Sequence, residues 1–365
     1  MPMHARRWLL ASTLMMAALM ATIGCGHAQP PPAGSIAATF RAAKTWGYQL
    51  TNLDVKTLAG SAYDVLVIDY SRDGSDAQAL TAGDLALLKR KPDGSRRIIL
   101  SYLSIGEAES YRYYWNRSWD DVWFIPNFWS KPAWRAKLNG DWGGNYAVRY
   151  WDPAWQTIIL GDGTPSQSIS YLDRILRAGF DGVWLDKVDS SLEDVAAGRP
   201  SARQDMIAFV GRIRDRARTV QQDFLVIPQN GEDLLIDASF RTVIDGFGKE
   251  SLLFGEDGPQ KPNPQALIDK RLSLLKMLLA EGKPVLAVEY LSDRAMADAA
   301  MQKLASFGLV PLAATRLLDV SPGTLTASKE PDSATRGFRW RTFGWALGGI
   351  VLLAGAYWLS RRLRR

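Results

Sequence analysis

Carboxylates gather where apolar runs stop. The stretch GFDGVWLDKVDS (179–190) closes a buried-looking run on Asp186, with Asp181 before it and Asp189 just beyond. The same placement recurs at Asp69-Tyr70, from Tyr102 to Glu107, at Gln229-Asn230, at Glu250 and at Glu289-Tyr290. One Asp after a strand is most often a helix N-cap. Four acids ending four different strands would converge on one mouth, where mutual repulsion is costly without a use for it.

The chemistry open to such a mouth is bounded by what is missing. Both histidines, His4 and His27, and the single cysteine, Cys25, lie near the N-terminus. A body beginning at Gln29 therefore has no Ser-His-Asp triad, no thiol nucleophile, no imidazole base and no zinc site of the usual ligands. Carboxylates, Lys, Tyr, Ser or an oxygen-ligated metal must do the work. No metal and no cofactor is called for by the residues present. The simplest reaction for paired carboxylates is glycoside hydrolysis, in which one protonates the leaving oxygen and the other is nucleophile or base. Asp186 and Glu250 fit as that pair. Asp69, Glu107, Glu232 and Glu289 are candidates for holding substrate hydroxyls or amines, or for tuning the pair. Tyr70, Tyr102, Trp151, Gln229, Asn230 and Tyr290 are further candidate contacts, and Asp189 stands between substrate contact and cap.

These residues need a scaffold that brings distant strand ends together. Short β-rich apolar runs occur at 46–50, 64–70, 97–104, 181–186, 224–230, 243–250, 284–290 and 309–315. Between most of them lie helical patterns, such as SISYLDRILRAG (168–179), with Ile169, Leu172, Ile175 and Leu176 on one face, and NPQALIDKRLSLLKMLLAEG (263–282). Eight apolar strands alternating with helices predict an α/β fold, a single (β/α)8 TIM barrel whose active face is built from the C-terminal strand ends. A doubly wound open sheet is the alternative.

About 75 residues separate the third and fourth runs, and they hold eight of the fourteen tryptophans: Trp115, Trp119, Trp123, Trp129, Trp134, Trp142, Trp151 and Trp155. For any one of them a satellite core is the plainer reading. Together, on an excursion from the active face, they predict aromatic walls for sugar rings and a long cleft for a polymer.

The ends of the chain differ from the body. The first 28 residues have the layout of a secretory signal, with cleavage before Gln29 or lipoprotein-type processing at Cys25. Residues 29–44 read as a linker, 45–320 as the catalytic domain and 321–342 as a second linker. The uncharged run FGWALGGIVLLAGAYWL lies within 343–360, read as a transmembrane helix or a removable sorting signal, with 361–365 a basic cytoplasmic tail. An exported body held at the membrane is expected, on its periplasmic or extracellular face. Both ends are rich in Arg and free of acids. Removing their nine arginines from 44 basic residues leaves 35 against 38 acids in 29–335, so the basic pI implies no nucleic-acid partner. A monomer is expected.

Four motifs carry a family resemblance: YLSIGEAESYRYYW (102–115), WDPAWQ (151–156), FDGVWLDKVDS (180–190) and IPQNGEDLL (227–235). From about Trp46 to Asp319 the chain resembles the family 114 glycoside hydrolases, the endo-α-1,4-polygalactosaminidases, and is similar to the hydrolase domain of the Pel polysaccharide system. The resemblance implies a (β/α)8 barrel that cuts α-1,4-linked galactosamine/N-acetylgalactosamine exopolysaccharide inside the chain with retention. It also implies that Asp186 is the nucleophile and, through the shorter match GFGKESLLF, that Glu250 is the acid/base. Two other readings remain: a barrel that binds the polymer without cutting it, and a glycosidase for a neutral α-linked polymer. A metal-dependent deacetylase is disfavoured by the lack of histidine.

Overall fold

A computed structural model describes residues 34–120, 131–161 and 169–325. The expected signal segment, the transmembrane run 343–360, the basic tail, Trp123 and Trp129 lie outside the described residues. Among the described residues no helix is long and apolar enough to cross a membrane.

Each of the eight apolar runs contains a strand: β1 (Trp46–Gln49), β2 (Val65–Ile68), β3 (Ile98–Ser104), β4 (Gly182–Asp186), β5 (Leu225–Pro228), β6 (Phe247–Glu250), β7 (Val285–Tyr290) and β8 (Val310–Ala314). β1 to β5 form one parallel sheet in chain order, and β6 to β8 form another. A parallel bridge between Gln229 and Gly248 joins β5 to β6. The Trp46 indole donates to the Val310 carbonyl at 3.0 Å and ties β1 to β8. Every strand thus neighbours the next in sequence, which is the order a (β/α)8 barrel requires.

Alternation along the strands sorts the side chains into two cores. Trp46, Tyr48, Val67, Leu100, Trp184 and Val288 share one with residues of β5 and β8. The intervening positions, among them Leu66, Ile99, Leu185, Val226 and Phe247, pack with the helices. The Trp184 ring explains Gly248: a Cβ there would stand 2.3 Å from the indole, so no larger residue fits opposite it. At the N-terminal rim Asp181 is fully buried, and its carboxylate accepts from Arg96 at 2.6 Å, Lys89 at 2.8 Å and the Ile99 N–H at 3.0 Å. It fastens strands and takes no part at the opposite face.

The predicted helices are present as Tyr171–Ala178 and Gln265–Ala280. The first is capped by the Ser170 hydroxyl, which accepts the Asp173 N–H, and ends at Gly179 with φ 93°, a backbone form that glycine adopts without strain. Ile169, expected on its apolar face, precedes the cap and is exposed. The long interval after β3 builds an antiparallel sheet of Glu107–Glu109, Asn145–Val148 and Arg135–Leu138, followed by the helix Pro153–Leu160. Most of its described tryptophans hold this insertion together. Trp115, Trp119, Trp134 and Trp155 run ring against ring into the core, with Trp134 and Trp155 buried.

Candidate active site

The C-terminal strand ends open into a cleft of about 500 Å³. Asp186, at the end of β4, is only partly exposed there. Its Oδ1 accepts the Gln229 Nε2–H at 3.0 Å and the Lys187 N–H at 2.8 Å, and its Oδ2 accepts the Tyr102 hydroxyl at 2.7 Å. Lys187 itself lies in the left-handed region, φ 61°. A non-glycine residue held in this form at a strand end is what a site with a positional demand produces.

Gln229 cannot turn its amide over. Its Oε1 accepts from the Tyr48 hydroxyl at 3.1 Å and from the Trp184 indole N–H, so its NH2 must face Asp186. Asp186 Oδ1 therefore meets two fixed donors, while Oδ2 meets one hydroxyl that can rotate.

Glu250 ends β6 on the same cleft. Its Oε2 accepts the Asn230 Nδ2–H at 2.9 Å, and its Oε1 accepts the Tyr290 hydroxyl. Asn230 is fixed in turn, since its Oδ1 accepts the Glu250 N–H and the Lys249 ammonium, each at 3.2 Å. Burial pushes the Asp186 carboxyl up to about 6; the Glu250 charge adds to the rise, and the Tyr102 hydrogen bond and the Lys187 charge oppose it. The adjacent residues Gln229 and Asn230 hold one carboxyl each, Asp186 and Glu250, so the two acids face the same cleft side by side. The Tyr48, Tyr102 and Tyr290 phenols are driven well above their usual range, first by burial and then by these carboxylates, so they remain donors.

Asp69, Glu107 and Asp189 also line the cleft. Asp69 shares the buried Arg112 guanidinium with Glu109, at 2.7 and 2.6 Å, yet burial still raises it to about 6. Glu107 accepts from Asn139 at 2.8 Å and Asn145 at 3.3 Å, stands 3.6 Å from Lys187, and is raised chiefly by burial. Asp189 is raised to about 6, burial first. It caps no helix through its side chain, which removes that half of the earlier alternative.

Four expected contacts lie off this cleft. The Tyr70 hydroxyl is buried and donates to the Gly74 carbonyl, supporting the loop after β2. Trp151 stacks near Arg199, 4.5 Å from ring to guanidinium, and meets Tyr150 edge-on. Glu289 is buried and accepts the Leu253 and Phe254 N–H groups at 2.8 and 3.2 Å, so it anchors the loop after Glu250; burial raises it to about 7. Glu232 lines a neighbouring cavity, ion-paired with Lys249 at 3.1 Å and Arg271 at 2.9 Å. Strand-end position could not separate these residues from true cleft groups, because neighbouring loop residues turn in different directions.

Trp142, expected within the aromatic wall, is the described tryptophan of the insertion that does line the cleft, and other cleft residues were not among the expected contacts. Arg316 lies 5.9 Å from its ring and 5.5 Å from that of Tyr290. Arg316 directly follows the eighth run, so the strand-end rule would have found it. Tyr48 carried no such signal, since it sits inside β1; nor did Arg112, buried beneath the cleft against Asp69 and Glu109.

Several known proteins are similar to this chain. The glycoside hydrolase domain of PelA from Pseudomonas aeruginosa is similar in structure, with a TM-score of 0.56 at 20% identity, covering 76% of this chain and 97% of that domain. An uncharacterized protein of Deinococcus radiodurans is 32% identical over 307 residues, covering 81% of this chain and 90% of that protein. Another, of Thermotoga maritima, is 30% identical over 311 residues, covering 82% and 88%. The model of glycoside-hydrolase family GH114 matches residues 27–323, and on that match the chain belongs to family GH114 and is a glycoside hydrolase.

Proposed function

We propose that this chain is a closed (β/α)8 barrel that cuts α-1,4-linked galactosamine/N-acetylgalactosamine polysaccharide inside the chain with retention, using Asp186 as nucleophile and Glu250 as acid/base. The observation that carries the reading is the pair itself: two carboxyls ending β4 and β6 on one cleft, held by the adjacent residues Gln229 and Asn230. Oδ1 of Asp186 is occupied by donors that cannot leave, so Oδ2 is the oxygen free to attack the anomeric carbon, with the Tyr102 hydroxyl turning aside. As that bond forms, Glu250 gives its proton to the departing glycosidic oxygen. Glu250 then takes a proton from water, whose oxygen attacks the same carbon and releases Asp186.

The cleft's charge supports a cationic polymer. Eight carboxylate residues line it against three cationic ones, Arg72, Lys187 and Arg316, a field that attracts protonated amines and disfavours acidic sugars. Tyr111, Tyr290 and Trp142 offer rings in place of the expected tryptophan wall. Export and membrane attachment through 343–360 belong to the same proposal and place the enzyme beside a polymer outside the cytoplasm.

The test is to incubate the protein with partially deacetylated α-1,4-polygalactosamine and follow chain length and the anomeric proton by NMR. Shortened oligosaccharides released first as the α-anomer are expected. Binding without shortening would favour a non-catalytic barrel, and β-anomer release would exclude retention.

A further inference from the structure

A second cavity, of about 370 Å³, opens directly off the first. Three residues line both: Asp189, Asn230 and Glu250. Asp186 lines only the first. This asymmetry orients the substrate. A group that protonates the leaving oxygen must touch both sides of the scissile bond, whereas the nucleophile needs only the sugar it attacks.

The charged side chains at the junction are not equivalent. Asp69, Glu107, Glu109, Asp186 and Glu250 each accept hydrogen bonds from protein donors. In the second cavity Glu232 is paired with Lys249 and Arg271, Glu193 with Lys187, and Glu256 with Arg271. Among the described residues the Asp189 carboxylate accepts no hydrogen bond and makes no ion pair within 4 Å. It is nevertheless only partly exposed, and its nearby charges include those of Asp186 and Glu193 as well as Lys187 and Lys249. A carboxylate left without donors in a half-dry junction is incomplete until a cation arrives. The lip of the second cavity adds Leu192, 53% exposed, an apolar surface beside which a sugar ring can lie.

We propose that the second cavity holds the leaving-group side of the polymer, and that Asp189 pairs there with the 2-ammonium group of the first sugar past the scissile bond. The enzyme therefore demands an unacetylated galactosamine at that position. The inference rests on the proposed polygalactosaminidase activity and on Glu250 as its acid. An acetamido group in the same place would leave Asp189 unpaired and meet it with a weaker, neutral donor.

The leaving sugar becomes the non-reducing end of one product, so the products record the preference. Wild-type protein is incubated with polygalactosamine of about half-random acetylation, reducing ends are labelled by borodeuteride, and the oligosaccharides are sequenced by mass spectrometry. Newly formed non-reducing ends should carry a free amine about tenfold more often than an acetamide, the discrimination expected of one charge-assisted hydrogen bond. Asp189→Asn should bring that ratio close to the bulk composition. Cleavage with randomly acetylated non-reducing ends in the wild type, or an unchanged ratio in Asp189→Asn, would overturn the inference while leaving the proposed activity standing. No cleavage of any such polymer would overturn both. The wild-type measurement stands even where the variant folds poorly.

Discussion

Replacing Asp186 by Asn should stop turnover and, at neutral pH, make the protein more stable. The side chain can swap without breaking its contacts. An Asn Oδ1 in place of the carboxylate Oδ1 keeps the Gln229 and Lys187 donors, and its NH2 donates to the Tyr102 oxygen after that hydroxyl rotates. What disappears is a negative charge held near Glu250 and away from bulk water. The sign follows from the raised carboxyl, about 6 in the fold against an ordinary 3.8. Below pH 4 the acid is neutral in both folded and unfolded chains and adds nothing. Between pH 4 and 6 the unfolded chain ionises first, and above pH 6 the folded chain carries the full cost. A rise of two pH units corresponds to about 3 kcal/mol, and screening by cleft water around a partly exposed group reduces this to about 1–2 kcal/mol. Asp186→Asn should therefore melt about 2–5 °C above wild type at pH 7.5 and level with it at pH 4, measured by calorimetry. Polymer cleavage should fall by at least three orders of magnitude, as loss of a reacting group does. Turnover within tenfold of wild type, or a lower melting temperature at pH 7.5 than at pH 4 relative to wild type, would refute Asp186 as an ionised nucleophile strained by its site.

Other consequences can be checked the same way. Because Asp186 must be ionised to attack, kcat/KM should fall as pH drops through about 6; a rate that instead falls as pH rises through 6 would make Asp186 the proton donor. Gln229→Leu removes one fixed donor to the ionised form and should move that acid limb upward by about one pH unit, with kcat reduced more than KM is raised. Gly248→Ala drives a methyl group into the Trp184 indole and should cost about 1–3 kcal/mol of stability in urea unfolding, a price that no side-chain rotation can avoid in so rigid a pairing. Glu289→Ala strands two backbone N–H groups and should lower the melting temperature by several degrees without altering preference between cationic and neutral polymers.

Much of this protein is legible in one dimension. Each apolar run between 46 and 315 holds its strand, because short apolar β-rich segments separated by amphipathic helices have few ways to bury themselves other than as parallel strands under helices. That Asp186 and Glu250 reach one cleft was legible for the same reason: the C-terminal end of a parallel strand is where side chains leave the packed layer.

Direction, partner and depth were decided by the folded chain alone. Glu232 and Glu289 also end strands or follow them, yet each turns to a neighbour that sequence distance hides, Arg271 and the Leu253–Phe254 backbone, while Tyr70 folds back onto Gly74 in its own loop. The same limit hid the clamp of Tyr48 and Trp184 on Gln229, which joins β1, β4 and β5 across the interior. The insertion's tryptophans show the rule in reverse. Their clustering announced a special segment, but only packing separated Trp155, sealed in the core, from Trp142 at the cleft. Hydrophobic periodicity determines which residues leave water and so writes the fold into the sequence. Which acid keeps its charge, and for whom, depends on donors and charges a few ångströms away in space that lie far along the chain, as Tyr102 lies 84 residues from Asp186.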